Sequence, residues 1–183
     1  MRKFLIALVT VLGFFSAAQA EDFTIRLGPS FTFAPGFGFG VEAELNGKNL
    51  AKFGSGLSLG LYGNLAIGFG GGSVGFTGVV GPTINIGLNR NAGNVYAGLA
   101  LGLNGGGGGD ASFLFGFVTG VDYLVTPAVN LFAHLGFIVV PGFLGSIDLG
   151  ADFALSRAID AYAKLQVGFS GTFGVGLGLK FGF

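Results

Sequence analysis

Cysteine and tryptophan are absent from this 183-residue chain, histidine occurs once, and only 10% of the residues are charged. Each shortage removes a class of explanation. Without cysteine there is no disulfide framework, so an exported chain must be stabilised in another way. With no cysteine and His134 alone, a metal site would have to rest on carboxylates, and no spacing around that histidine builds a Ser-His-Asp triad. Beyond residue 20 there is no stretch of about 20 strongly apolar residues uninterrupted by glycine, which argues against helical membrane spans. The 38 glycines follow no Gly-X-Y period, which excludes collagen, and 22 phenylalanines argue against low-complexity disorder.

What is present begins with a targeting segment. Arg2 and Lys3 give a positive start, Phe4 to Phe15 an apolar core too short to span a membrane as a helix, and Ala18-Gln19-Ala20 a small-residue cleavage site. The expected organisation is a signal peptide over 1–20 and one domain over 21–183. Two of the nine bases lie in the signal, leaving seven against nine acids, a formal charge of −2 on the mature chain. That balance holds no basic footprint, so nucleic acid is not an expected partner.

The mature sequence alternates apolar with small or polar residues. Its last segment, Phe173-Gly-Val-Gly-Leu-Gly-Leu-Lys-Phe-Gly-Phe183, places large apolar side chains on one face and Gly or Lys on the other. Such a ribbon fits a strand with lipid on one side and a lumen on the other. Turn signals divide the chain into ten strands, near 22–33, 37–45, 50–69, 73–88, 94–104, 112–125, 128–140, 146–156, 160–169 and 173–183. Each reaches the roughly 9 to 11 residues a tilted span needs. Polar reversals (Asn46-Gly47-Lys48, Asn89 to Asn94, Val125 to Ala128, Ser156 to Asp160) alternate with glycine-rich or apolar ones. The fold expected is an all-β, up-and-down antiparallel transmembrane β-barrel of ten strands, with eight or twelve as alternatives. Both termini and the polar turns then face the periplasm. Residues 50 to 88 are read as one long hairpin projecting beyond the membrane, with a bulge at Pro82.

Strand parity sends most of the charge inward: Asp22, Arg26, Glu42, Glu44, Lys52, Asp122, Asp148, Asp152, Lys164 and Lys180. Tyr62, Tyr96, His134, Tyr162 and Gln166 share that phase, while glycines such as Gly36, Gly38, Gly40, Gly54, Gly56 and Gly60 keep the interior narrow or leave room for water. Charges facing hydrocarbon would cost several kcal/mol each near the bilayer centre. The arrangement implies a lumen closed near the periplasmic end by Arg26, Lys52, Lys164 and Lys180 with the carboxylates, below a glycine-lined vestibule. A lumen filled throughout by structural ion pairs is the alternative.

The closing Leu177-Gly-Leu-Lys-Phe-Gly-Phe183 resembles the C-terminal signal of outer-membrane barrels, and Val121-Asp-Tyr-Leu-Val-Thr-Pro-Ala-Val-Asn-Leu131 is similar to periplasmic turns of small OmpA-like and opacity-type barrels. That resemblance implies a bacterial outer-membrane location, outer-membrane lipid and the barrel assembly machinery as partners, and Phe181 and Phe183 as the assembly signal. With no tryptophan and four tyrosines, any interfacial belt must be phenylalanine, from Phe31, Phe33, Phe37, Phe39, Phe69, Phe76, Phe113, Phe115, Phe169 and Phe173.

Three functions remain: a non-enzymatic barrel that is structural or a narrow, weakly selective pore; a surface adhesin or receptor, which would need longer polar loops; and a lipid-modifying enzyme resting on His134 and a serine. Glu42 and Glu44 lie ~7 Å apart on one face, a spacing compatible with glycosidase carboxylates but equally with solvated groups beside a turn. Gly105 to Gly109 with Asp110 lacks the Lys-Ser/Thr of a P-loop. No catalytic residue, metal site or cofactor is expected.

Overall fold

The computed structural model describes residues 23–183 apart from 34–35, 55, 71–72, 89–91 and 107–108. The expected signal segment 1–20 and the lumen residue Asp22 lie outside the described residues, as do parts of four expected reversals. Ten strands follow one another: β1 (Phe23–Thr32), β2 (Gly38–Lys52), β3 (Leu57–Gly70), β4 (Ser73–Gly87), β5 (Gly93–Gly106), β6 (Ser112–Thr126), β7 (Val129–Val140), β8 (Leu144–Ala154), β9 (Ile159–Gly168) and β10 (Phe173–Gly182). Each pairs antiparallel with its neighbours in sequence, and β1 pairs with β10 to close the barrel. Closure leaves no strand edge unpaired. Among the described residues no helix is long and apolar enough to cross a membrane.

Alternation is what makes these segments strands. In β8, Ile147, Leu149 and Phe153 are exposed on the outer wall while Asp148 and Asp152 are buried inside. In β5, Leu99, Leu101 and Leu103 face out and Tyr96 and Ala100 face in. The outer wall is thus a continuous apolar surface. At the end away from the termini its phenylalanine rings touch in series, Phe31 with Phe39 at 5.5 Å, Phe39 with Phe69 at 6.0 Å, and Phe33 with Phe37 and with Phe173 at 6.2 Å each. Phe143 and Phe169 stack at 6.1 Å on the same rim.

Three local expectations are corrected. Asn46-Gly47-Lys48 does not turn: it lies inside β2, with Phe23 paired to Gly47 and Tyr62 to Asn46. β2 instead continues to Lys52 and β3 begins at Leu57, with Gly54 and Gly56 between them at φ of 124° and 88°, so these two glycines belong to the connection and not to a strand face. Only glycine enters such backbone freely, and using this later reversal buries Asn46 and lengthens the β2 ladder. The added residues are absorbed by an irregularity between Gly47 and Ala51, with Asn49 at φ 59°, a conformation asparagine tolerates better than most residues.

Pro82 marks no bulge. The β3–β4 register runs unbroken through Leu61 opposite Pro82, and the β4–β5 register is the same on both sides of it, from Val80 opposite Leu101 to Thr83 opposite Gly98. Proline is accommodated because the ladder to β5 omits Gly81 and Pro82 while its phase is kept. The extra length is also not confined to one hairpin: β2 to β6 run 14 or 15 residues, whereas β7 to β10 and β1 run 10 to 12.

Candidate functional site

Inside the barrel, side chains from strands far apart in sequence meet near mid-height. The Arg26 guanidinium on β1 is the centre. Its Nε and Nη2 donate to the two carboxylate oxygens of Asp152 at 3.0 and 2.9 Å, its Nη1 to Glu44 at 2.6 Å and its Nη2 to Asp122 at 3.3 Å. The same group lies 4.0 Å over the Phe132 ring. A planar fork with five donors suits this task, and a lysine would not replace it.

Two further clusters adjoin it. Lys164 Nζ donates to Glu42 at 2.7 Å and to Asp148 at 2.8 Å, and Asn64 donates to Glu42 at 2.5 Å. Lys180 Nζ bridges Asp152 at 2.9 Å and Asp160 at 3.0 Å. His134 has Nδ1 3.3 Å from Glu44 and Nε2 3.9 Å from Asp122, between the Phe132 and Tyr96 rings. Tyr62 stacks on Tyr96 at 6.1 Å. Buried charges survive only when paired and hydrogen-bonded, and nearly all of these are.

The abundance of glycine finds its explanation here. Five bulky lumen side chains face a glycine on an adjacent strand: Tyr62 opposite Gly81, Tyr96 opposite Gly120, Phe132 opposite Gly150, Tyr162 opposite Gly178 and Lys164 opposite Gly176. A Cβ at Gly120 or Gly150 would run into the Tyr96 or Phe132 ring. Large residue against none lets a narrow barrel hold a layer of aromatic and ionic groups, a taper-filling device of small barrels.

This layer forms a septum with a separate vestibule on each side. The vestibule at the end bearing the termini has a volume of about 690 Å³ and touches Arg26, Asp122 and Asp152 at its inner end. The opposite one, about 630 Å³, ends on Glu42, Tyr62, His134 and Asp148, and the two share no lining residue. The layer therefore lies at mid-height, with a vestibule on each side, whereas the sequence suggested a closure near the periplasmic end. Arg26, Lys164 and Lys180 join it. Lys52, expected in the closure, stands exposed at the rim of the first vestibule and makes no ion pair with a described residue.

The remaining sequence-derived residues fall as follows. Gln166 lines the second vestibule and Tyr162 is buried in the lumen. Phe181 is half-buried on β10 between Ile25 and Ile159, and Phe183 is exposed, with backbone hydrogen bonds to Phe23 of 2.9 and 3.3 Å where the barrel closes. Parity arguments passed over Phe132, Asn46, Asn85 and Asn94, all buried inside. Phe132 shares the inward phase of Asn130 and His134 on β7, a signal masked by its apolar character. Asn85 sits in a row of hydrogen bonds from Asn94 and to Thr83.

Most charged groups of the layer are committed to one another, while both His134 nitrogens, Asp122 Oδ2, Asp148 Oδ1 and the Tyr96 hydroxyl hold no hydrogen bond among the described residues. Both nitrogens of His134 face carboxylates, which gives the serine-dependent reading no support. Glu42 and Glu44 belong to separate ion-pair clusters and not to an acid/base pair. Glu42, Glu44 and Asp148 bring carboxylate oxygens within 4.8 Å of one another, but the Lys164 ammonium already bridges two of these residues.

No protein-family model matches the sequence, and no curated protein matches it. Solved structures do share its fold. The translocator domain of the autotransporter NalP from Neisseria meningitidis aligns with 100% of this chain and 96% of its own at a TM-score of 0.50, with 12% identity. The KdgM porin in complex with disordered oligogalacturonate aligns over 87% of this chain and 99% of its own at a TM-score of 0.48 and 11% identity. Neisserial surface protein A aligns over 88% and 97% at a TM-score of 0.40 and 15% identity. The fold is that of a small outer-membrane β-barrel.

Proposed function

We propose that the chain resides in a bacterial outer membrane as a non-enzymatic barrel whose lumen is shut, a structural membrane element and not an open pore. The observation that carries this reading is the septum: a layer of interlocked ion pairs and rings with an isolated vestibule above and below it. The apolar outer wall supports the membrane location, since exposed surface of that extent is unfavourable in water and suited to lipid. The termini and the turns at 127–128 and 155–158 then lie on the periplasmic side. Phe181 and Phe183 present the aromatic C-terminal strand to the barrel assembly machinery.

Short connections on the opposite side favour this reading over an adhesin. Only two residues separate β3 from β4, and three separate β7 from β8. Such loops offer little surface for a partner.

Two measurements test the reading. Spin labels at Leu59, Leu101 and Leu177 should report hydrocarbon, and an aqueous environment at these sites would overturn the membrane location. Liposomes carrying the purified protein should not swell in isosmotic glucose or glycine. Swelling proportional to protein content would replace the closed barrel with a pore.

A further inference from the structure

The second vestibule, at the end away from the termini, is lined by two carboxylates. Glu42, Tyr62, Asp148 and His134 are its ionisable lining residues, and among the described residues neither lysine nor arginine lines it. Behind its floor a single ammonium, Lys164, is shared by Glu42 and Asp148 at 2.7 and 2.8 Å. Two carboxylates thus divide one positive charge. Asp148 is only 7% exposed, yet its Oδ1 has no hydrogen-bond partner among the described residues. A buried carboxylate oxygen left without a donor is costly, and Asp148 lines the cup.

We propose that this vestibule is a binding cup for a small organic cation bearing primary ammonium groups. Its volume of about 630 Å³ lies within the range of sites for small organic molecules and far exceeds that of one metal ion. The hydroxyls of Ser30, Thr32, Ser146 and Thr172 and the Gln166 amide line its wall, and each can accept a hydrogen bond from an N–H. The oxygens nearest the floor already select an ammonium, that of Lys164, over a metal: hard cations need about six or more oxygen ligands, and here two of the available ones are committed to Lys164 Nζ. An entering ammonium adds the second positive charge that the carboxylate pair lacks.

Glycine makes the wall open. A Cβ at Gly136 or Gly68 would meet nothing within 4 Å, and both residues line the cup. A side chain added there occupies the cup and leaves the carboxylates in place.

The test is calorimetric titration of the refolded, detergent-solubilised barrel with spermidine, with calcium chloride and sorbitol in parallel. This does not depend on whether the barrel conducts or in which membrane it lies. Spermidine should bind saturably at one site per chain, more weakly as salt rises, and sorbitol and calcium should not bind there. Asp148→Asn should weaken spermidine at least tenfold. Gly136→Leu should abolish binding while the strand circular dichroism and the faster gel migration of the unboiled barrel persist, separating loss of the cup from loss of the fold. Lys52→Gln, at the other mouth, should leave affinity unchanged. The proposal is overturned if spermidine shows no saturable heat, if Gly136→Leu binds as well as the parent, or if calcium binds and is lost with Asp148→Asn while spermidine is indifferent to it.

Discussion

The two vestibules are alike in size and unlike in charge. The one beside the termini is lined by Arg26, Lys48, Lys52 and Lys180 against Asp122, Asp152 and Asp160, and the other by Glu42 and Asp148 with His134 and neither lysine nor arginine. Here a layer of stacked rings and fixed ion pairs stands between them. In the proposed closed barrel, the septum is what separates these two cups.

The largest effect is expected from removing the residue that joins the clusters. Arg26→Ala leaves Asp152, Glu44 and Asp122 without their common partner, and breaking a buried pair from one side costs about 3–5 kcal/mol. Urea unfolding in lipid vesicles should show a loss of that order. A loss under about 1 kcal/mol would mean the septum is wet and the vestibules are one space.

A control on the outer wall comes next. Leu101→Arg places a charge where lipid is expected, at a cost of about 2–4 kcal/mol if the site is near the midplane. An unchanged unfolding midpoint would place water against that wall.

Overpacking the layer is a smaller perturbation. Gly120→Val pushes the Tyr96 ring off its seat and should cost about 1–3 kcal/mol, read from the same unfolding curve. The corresponding change at Gly136, in open cup space, should cost less, because no neighbour must move. Equal costs at the two glycines would erase the distinction between septum and vestibule.

The smallest effect belongs to Lys52→Gln. This side chain is exposed and without an ion pair to a described residue, so stability should stay within about 0.5 kcal/mol. Only the charge of its vestibule changes, and a larger loss of stability would return Lys52 to the septum.

Much of this architecture was legible in the sequence because a strand period of two is a local property. Asp148 and Asp152, or Tyr162 and Lys164, betray their common face within a few residues. Residues 46–48 do not turn although Asn-Gly is a strong local reversal signal, because the ladder from Phe23 to Gly47 that overrides it acts across strands. The level of the closure was hidden for the same reason. Arg26 meets Asp122 across 96 residues, and no pattern within either strand states that they share a height. Phe132 escaped notice because an apolar ring on the inward phase makes sense only once Gly150 is known to lie opposite it.

Single-channel recording of the purified barrel in planar bilayers, beside Arg26→Ala, tests the central claim most directly. A septum that divides the lumen predicts a silent parent protein and ion currents that appear when the guanidinium is removed. Discrete, reproducible openings of the unaltered barrel, with the same conductance in the variant, would contradict it.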